Sequence, residues 1–213
     1  ENDPQGGGGG PRGGTNLLKS NWTSKGIWKV HQRANRVALI GSDPIMDDKG
    51  TAMVNKVKGK LNAMNDGTVW ADADMYQTGA YSFMHAMRHV DKKKGINQSI
   101  EMAKYLADKY VREMFKLAKE AKAAGNEYNA YFFFGAGLHT LQDATSPVHG
   151  GFQPWEDNPK FWREVVPHVY QERSYPGIRS NLQKITNYYL NWFENGEILL
   201  PTGNLFDNIL TDN

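Results

Sequence analysis

The sequence predicts an all-α fold in a single helical domain. Apolar residues recur at helical spacing in several segments, no segment shows the sustained alternation of a strand, and no internal repeat is evident. The chain has 213 residues, of which 39% are hydrophobic, so it is long enough to build one full core. A second domain is not required.

The first 16 residues differ in composition from the rest of the chain. Residues 6–10 are all glycine, and more glycines follow at positions 13 and 14. Such a segment buries too little surface to offset the entropy lost on ordering. We therefore predict a glycine-rich linker or tail over residues 1–16 and a folded domain over residues 17–213.

Two helices are expected in the first third of the domain. A helical stripe of apolar residues covers 27–40 and stops before the turn residues at 41–44. A second stripe covers 51–64, and Asn65-Asp-Gly67 is expected to end it. The following stretch, which carries several acids and reaches His89, is predicted to be irregular.

Longer helices are predicted in the second half of the sequence. Residues 99–124 form an amphipathic pattern that Gly125 closes, and residues 126–145 are almost entirely apolar, as expected for a helix buried on most faces. The Ser146-Pro147 pair ends this buried helix, because the residue before a proline disfavours the α region. Further helices are expected at about 160–172 and 178–194. His139, Gln142 and Asp143 are polar residues in the C-terminal half of the buried helix.

Charge and composition restrict the chemistry. The 25 Lys and Arg residues are spread along the chain and nearly balance 23 Asp and Glu residues, so the basic surface typical of duplex-binding domains is not expected. The chain has no cysteine, which excludes disulfides and thiolate metal sites and leaves His, Asp and Glu as ligands. No signal peptide or membrane-spanning run is recognisable, so we expect a soluble chain that another carrier would have to export.

Two pairs of residues have metal-binding spacing. His139 and Asp143 lie four residues apart on one predicted helix, and His168 and Glu172 have the same spacing on a later one. Residues four apart share a helix face about one turn from each other. Each pair offers an imidazole nitrogen and a carboxylate oxygen, which zinc accepts when thiolates are absent.

Three further histidines can join these pairs. His149 follows the break at Ser146-Pro147, where a turn can direct it back over the site, and His31 and His85 come from two other segments. A lone histidine on an apolar helix is more often a core residue, but the set as a whole favours a metal site. The remaining histidine, His89, is expected at the surface.

These residues resemble a known family. The pattern His-x-x-x-Asp-x-x-x-x-x-His, followed downstream by His-x-x-x-Glu, resembles the bacterial zinc-dependent phospholipase C family and the related fungal and plant S1/P1 zinc nucleases. Upstream, the run Trp70-Ala-Asp72-Ala-Asp74 with His85 looks like the acid and histidine pair of that family, and His31 looks like the histidine of its first helix. The resemblance covers about residues 22 to 195.

The resemblance implies a helical domain of the phospholipase C and P1 nuclease type with two or three Zn²⁺ ions. It implies one zinc at Asp72, His85, His139 and Asp143, a second at His149, His168 and Glu172, and a third at His31 and the bridging Asp143. Zinc at such a site lowers the pKa of bound water to about 7 and neutralises charge on phosphate oxygens.

Three details of the implied site stay open. In the phospholipases the acid that matches Asp72 is also the general base, a role we carry over as a hypothesis, although Asp74 could replace Asp72. The family completes its third zinc with a free N-terminal Trp, whereas this chain begins at Glu1 and its nearest candidate is Trp22. Either processing frees Trp22, or the third metal is held differently, or only two zincs bind.

A second resemblance concerns delivery. The run Asn2-Asp-Pro-Gln-Gly6 with the glycines after it looks like the boundary that precedes C-terminal toxin domains of Rhs-type polymorphic toxins. This implies an effector that a secretion system delivers, with an encapsulating Rhs shell and an immunity protein as candidate partners.

The leading hypothesis is therefore a phospholipase C-type toxin that cleaves the glycerol-phosphate ester of membrane phospholipids, acting on bacteria or on a host. The alternative is a zinc nuclease or other phosphodiesterase on the same metal site, with nucleic acid as its partner. A non-catalytic, zinc-stabilised binding module is a third hypothesis, but seven or eight ligands exceed what one structural zinc needs.

Overall fold

The computed structural model describes residues 30–44, 47–156, 174–196 and 199–212. Over these ranges the fold is mainly helical, as the sequence predicts, and no helix in them is long and apolar enough to cross a bilayer. The predicted linker over residues 1–16 and the predicted helix at 160–172 lie outside the described residues. The α-helices are α1 (Val30–Ile40), α2 (Asp48–Lys56), α3 (Lys58–Ala71), α4 (Ile100–Ala123), α5 (Glu127–Asp143) and α6 (Asn181–Asn195).

Local capping sets the ends of the three longest predicted helices. The side-chain oxygens of Ser99, Asn126 and Ser180 each accept the N–H of the residue three positions later, which satisfies a backbone donor at the starts of α4, α5 and α6. Gly125 and Gly196 follow α4 and α6 with φ of 74° and 68°, a conformation that favours glycine. These helices therefore begin and end within a few residues of the predicted positions.

The prediction that Asn65-Asp-Gly67 ends a helix is wrong. Residues 51–64 belong to two helices that meet at Val57, and α3 continues through Gly67 to Ala71. Gly67 does not form a turn. It allows α3 to pack closely on α5, because a Cβ there would overlap the backbone of Phe132. Asp72 consequently caps the end of a regular helix, where the sequence predicted an irregular segment.

Helix α5 is the centre of the fold. It packs against α3, α4 and α6, and α1 packs in turn on α3 and α6. Phe134 of α5 stacks between Phe115 of α4, at a ring separation of 5.4 Å, and Phe193 of α6, at 4.6 Å. Burial on so many faces explains the almost continuous apolar composition of this helix.

A small sheet departs from the all-α prediction. It contains β1 (Arg88–Asp91), β2 (Ile96–Asn97) and β3 (Pro154–Trp155), with β1 antiparallel to β2 and parallel to β3. Strands of two to four residues are too short to produce a recognisable alternation in the sequence. His89 pairs with Trp155 in this sheet and is half-buried, so the prediction of a surface position is only partly correct.

A polar network joins three helices away from this sheet. Glu194 Oε1 on α6 accepts a hydrogen bond of 2.6 Å from the Tyr131 hydroxyl on α5 and lies 3.0 Å from Lys60 Nζ on α3. Burial alone would raise the pKa of Glu194, but the hydrogen bonds from Tyr131 and Lys60 outweigh it and lower that pKa. The ionised form of Glu194 is therefore favoured in the folded protein.

We expect Glu194→Gln to lower the free energy of unfolding at pH 7 by about 1 kcal/mol. Because the folded-state pKa lies below the unfolded value of about 4.3, this stabilisation is present above that pH and is lost as the pH falls through the folded-state pKa. Urea unfolding at pH 7 and pH 3 measures it, with Glu120→Gln on the exposed face of α4 as control. A difference from wild type that stayed constant with pH would contradict the prediction.

Candidate metal centre

The C-terminal half of α5 supplies the first two candidate ligands. His139 and Asp143 are buried and lie one helical turn apart, with His139 Nε2 at 3.1 Å from Asp143 Oδ2. The i, i+4 spacing on a straight helix produces this approach directly, as the sequence predicted. Among the described residues, His139 Nδ1 is buried without a hydrogen-bond partner, so the polar contacts of this ring are all made by Nε2.

Two other elements bring Asp72 and His85 to the same atom. Asp72 caps the C-terminal end of α3, and its Oδ1 lies 3.3 Å from His139 Nε2. His85 ends a 3-10 helix, Gly79–His85, and its Nδ1 lies 3.1 Å from His139 Nε2. The chain then turns sharply at Ala86, whose φ is 50°, before β1 begins.

Three donor atoms, from Asp72, His85 and His139, lie close enough together to hold one metal ion. Besides the distances above, His85 Nδ1 lies 3.2 Å from Asp143 Oδ2 and 3.8 Å from Asp72 Oδ1. Donor atoms about 2.0–2.1 Å from one tetrahedral zinc are separated by about 3.3–3.4 Å. A ring N–H points in one direction, so hydrogen bonding alone does not explain three close partners at His139 Nε2. A cation held by Asp72, His85 and His139 fits this arrangement.

His31 adds a corner to the cluster. Its Nε2 lies 3.1 Å from Asp143 Oδ1, whereas Asp143 Oδ2 faces His85 and His139. The two oxygens of one carboxylate are thus directed at two separate sets of nitrogens, as in a carboxylate that bridges two metal ions. His31, Asp72, His85, His139 and Asp143 together form a buried group that could hold metal.

His149 lies beside this group. The chain turns back after α5 through hydrogen bonds from Ser146 N to Asp143 O and from His149 N to Ser146 O, which buries the His149 ring. Its Nδ1 donates to the carbonyl of His85, so in the neutral ring Nε2 is the nitrogen that carries the lone pair. The fold-back after Ser146-Pro147 thus brings His149 against the backbone of His85.

The other predicted site residues cannot be placed. His168 and Glu172, the partners expected for His149, lie outside the described residues, as does Trp22. The side chain of Asp74 also lies outside the description, while the carboxylate of Asp72 faces the cluster.

Burial and charge act in opposite directions on the carboxylates. Burial would raise the pKa of Asp72, but the positive charge of His139 outweighs it and holds that pKa well below its usual range. The pKa of Asp143 is lowered in the same way, by His139 and then His149, against its burial. The pKa of His139 is raised because Asp143 and Asp72 outweigh its own burial. Both carboxylates are therefore ionised at neutral pH, as metal ligands must be.

Sequence reasoning assigned no role to two side chains at the outer nitrogens of the histidines. Gln142 lies 3.0 Å from His31 Nδ1, and the side-chain amide of Gln77 lies 3.2 Å from His85 Nε2. Gln142 is a polar residue in a largely apolar part of α5, which is a signal visible in the sequence. Gln77 has no comparable signal, because it lies in a short irregular segment between the 3-10 helices.

None of the protein-family models, curated proteins or solved structures compared with this chain matches it.

Proposed function

We propose that this chain is a zinc-dependent phosphodiester hydrolase of the phospholipase C type. The observation that carries the proposal is the cluster in which Asp72, His85 and His139 place three donor atoms within 4.8 Å of one another, while Asp143 faces both His139 and His31. Imidazole and carboxylate donors without thiolates suit Zn²⁺, and an ion there would polarise water and neutralise charge on a phosphate oxygen. A helical domain of the phospholipase C and P1 nuclease type is part of the same proposal.

The proposal assigns the candidate ligands to separate metal ions. His139, His85 and Asp72 would hold one ion. Asp143 would be shared between that ion and a second ion at His31. His149, together with His168 and Glu172, completes the ligand set that the resemblance implies. Two or three Zn²⁺ ions follow from this assignment.

Asp72 is proposed to act as general base as well as ligand. We expect Asp72→Asn to lower turnover by about 100-fold or more, because an amide oxygen can still bind a metal but accepts a proton poorly. Bound zinc, measured by elemental analysis, should fall much less than the activity. If zinc content and turnover fell in the same proportion, Asp72 would be a ligand alone.

A groove lined in part by Val148, the residue before His149, supports a lipid substrate. It has a volume of about 930 Å³ and is formed by the β1–β2 hairpin, β3 and the turn that precedes His149. Most of its surface is apolar, and it is lined by two cations that suit a phosphate and by one carboxylate, that of Glu156. The apolar side chains include Met87, Val90, Ile96, Val148 and Trp155, and the cations are Arg88 and Lys92.

A comparison of two substrates tests this function. The zinc-loaded chain is incubated with phosphatidylcholine liposomes and, separately, with single-stranded DNA at the same protein concentration. Release of diacylglycerol that stops when a chelator removes the metal supports the proposal. Degradation of DNA without lipid product would favour the nuclease alternative, and no product from either substrate at zinc saturation would contradict hydrolase function.

We further propose that the chain is the toxin domain of a secreted effector. The support is the resemblance of Asn2-Asp-Pro-Gln-Gly6 to the boundary of Rhs-type toxins, which implies delivery by a secretion system. An encapsulating shell and an immunity protein would then be its partners. Growth arrest of bacteria that express the wild-type chain, but not an inactive Asp143→Asn variant, would support this role, and normal growth with the active enzyme would contradict it.

A further inference from the structure

Gln142 connects the metal cluster to a buried polar network. It lies on α5 beside Asp143 and is 1% exposed. Its Oε1 is 3.0 Å from His31 Nδ1, and its Nε2 donates to Asn35 Oδ1 and to Thr186 Oγ, both at 3.0 Å. Both ends of the Gln142 amide are therefore hydrogen-bonded to side chains of α1 and α6.

The surroundings fix which end of the Gln142 amide faces His31. The Thr186 hydroxyl donates to the carbonyl of Leu182 at 2.7 Å, so its oxygen is left to accept from Gln142. The Gln142 amide must therefore point its NH₂ group toward Thr186 on α6.

Asn35 imposes the same requirement from α1. Its Nδ2 donates to Asn65 Oδ1 at 3.2 Å and to Thr68 Oγ at 3.4 Å. The Thr68 hydroxyl donates in turn to the carbonyl of Met64, so it accepts from Asn35. Asn35 Oδ1 therefore faces Gln142, and both neighbours of the Gln142 NH₂ group are acceptors.

The orientation of Gln142 determines the tautomer of His31. An amide oxygen only accepts, so His31 Nδ1 must carry the proton that it shares with Gln142 Oε1. In the neutral ring, Nε2 then has a lone pair, and it lies 3.1 Å from Asp143 Oδ1. Two acceptor atoms at this separation repel unless a proton or a metal ion lies between them.

We propose that Gln142 is a positioning residue that holds His31 in the tautomer protonated at Nδ1 and so presents Nε2 to a metal ion shared with Asp143. The inference rests on the proposed function, because that function identifies Zn²⁺ as the ion that His31 would bind. Outer partners of this kind orient a histidine ligand, and their loss costs about 10–100-fold in metal affinity.

The test compares two buried glutamines by zinc affinity, measured in competition with a chromophoric chelator. Gln142→Leu removes the acceptor for His31. Gln183→Leu is the matched control, because Gln183 is also 1% exposed but hydrogen-bonds Ala34, Tyr175 and Asn187. We expect Gln142→Leu to lower the affinity for one zinc ion by about 10–100-fold. Gln183→Leu should keep a zinc affinity within twofold of wild type, although it lowers stability by a similar amount. Equal zinc affinities in the two variants would overturn the proposal.

Two further measurements keep the proposal testable if a variant does not fold. ¹⁵N chemical shifts of the His31 ring in the wild-type protein should show a protonated Nδ1, with or without zinc, and a neutral ring protonated only at Nε2 would overturn the proposal. Gln142→Glu keeps an acceptor for His31 and should retain tighter zinc binding than Gln142→Leu. Failure of the wild-type protein to bind zinc would contradict the proposed function, while the ¹⁵N spectrum would still decide the role of Gln142.

Discussion

Replacing Asp143 with Asn is expected to abolish the proposed phosphodiesterase activity and to remove most of the zinc that the proposed site would bind. Asp143 Oδ2 lies 3.1 Å from His139 Nε2, and Oδ1 lies 3.1 Å from His31 Nε2, so one substitution weakens both metal positions. Metal ions contribute several kcal/mol to stabilising the transition state. We therefore expect kcat/KM to fall by about a thousandfold or more and zinc to fall to at most about one ion per chain.

Elemental analysis and a phosphodiesterase assay on the same preparation measure the two effects. Asp207→Asn is a suitable control, because it removes the same charge from a carboxylate that is 56% exposed and pairs with Lys104. It should leave zinc content and activity unchanged. An Asp143→Asn variant that kept its full complement of zinc would contradict the bridging role.

Gly135→Ala is expected to have a large effect on stability. Gly135 on α5 lies against the backbone of Met64 on α3, and a Cβ there would overlap the Met64 carbonyl. The obstacle is helix backbone, which cannot rotate away as a side chain can. We expect the free energy of unfolding to fall by about 3 kcal/mol or more. Zinc affinity should fall too, because Asp72 on α3 and His139 on α5 would move apart.

Gly59→Ala provides the matched control for this helix pair. Gly59 is an exposed position of α3, and a Cβ there would meet nothing closer than Glu127 Oε1 at 4.0 Å. Alanine is a better helix former, so this variant should be stabilised by about 0.5–1 kcal/mol. Thermal or urea unfolding measures both variants, and equal effects of the two substitutions would show that α3 and α5 are not in close contact at Gly135.

Local patterns predicted the features that depend on neighbours in sequence. The long α4 follows from its apolar stripe and from Ser99 and Gly125 at its ends. The approach of His139 to Asp143 follows from helical geometry alone. Local reasoning was misled at Gly67, because glycine after Asn-Asp is typical of a turn, and only the position of α5 shows that the glycine is needed for packing.

The sequence by itself determined the mainly helical class, the candidate donors and the absence of thiolates. The tertiary structure decided which donors share a point in space, because Asp72 and His85 reach His139 only through the packing of α3 and the 3-10 helix on α5. It also revealed the role of Gln142, since the orientation of a buried amide depends on acceptors from other helices. Spacing fixes contacts within one helix, whereas contacts between helices depend on how closely their backbones pack.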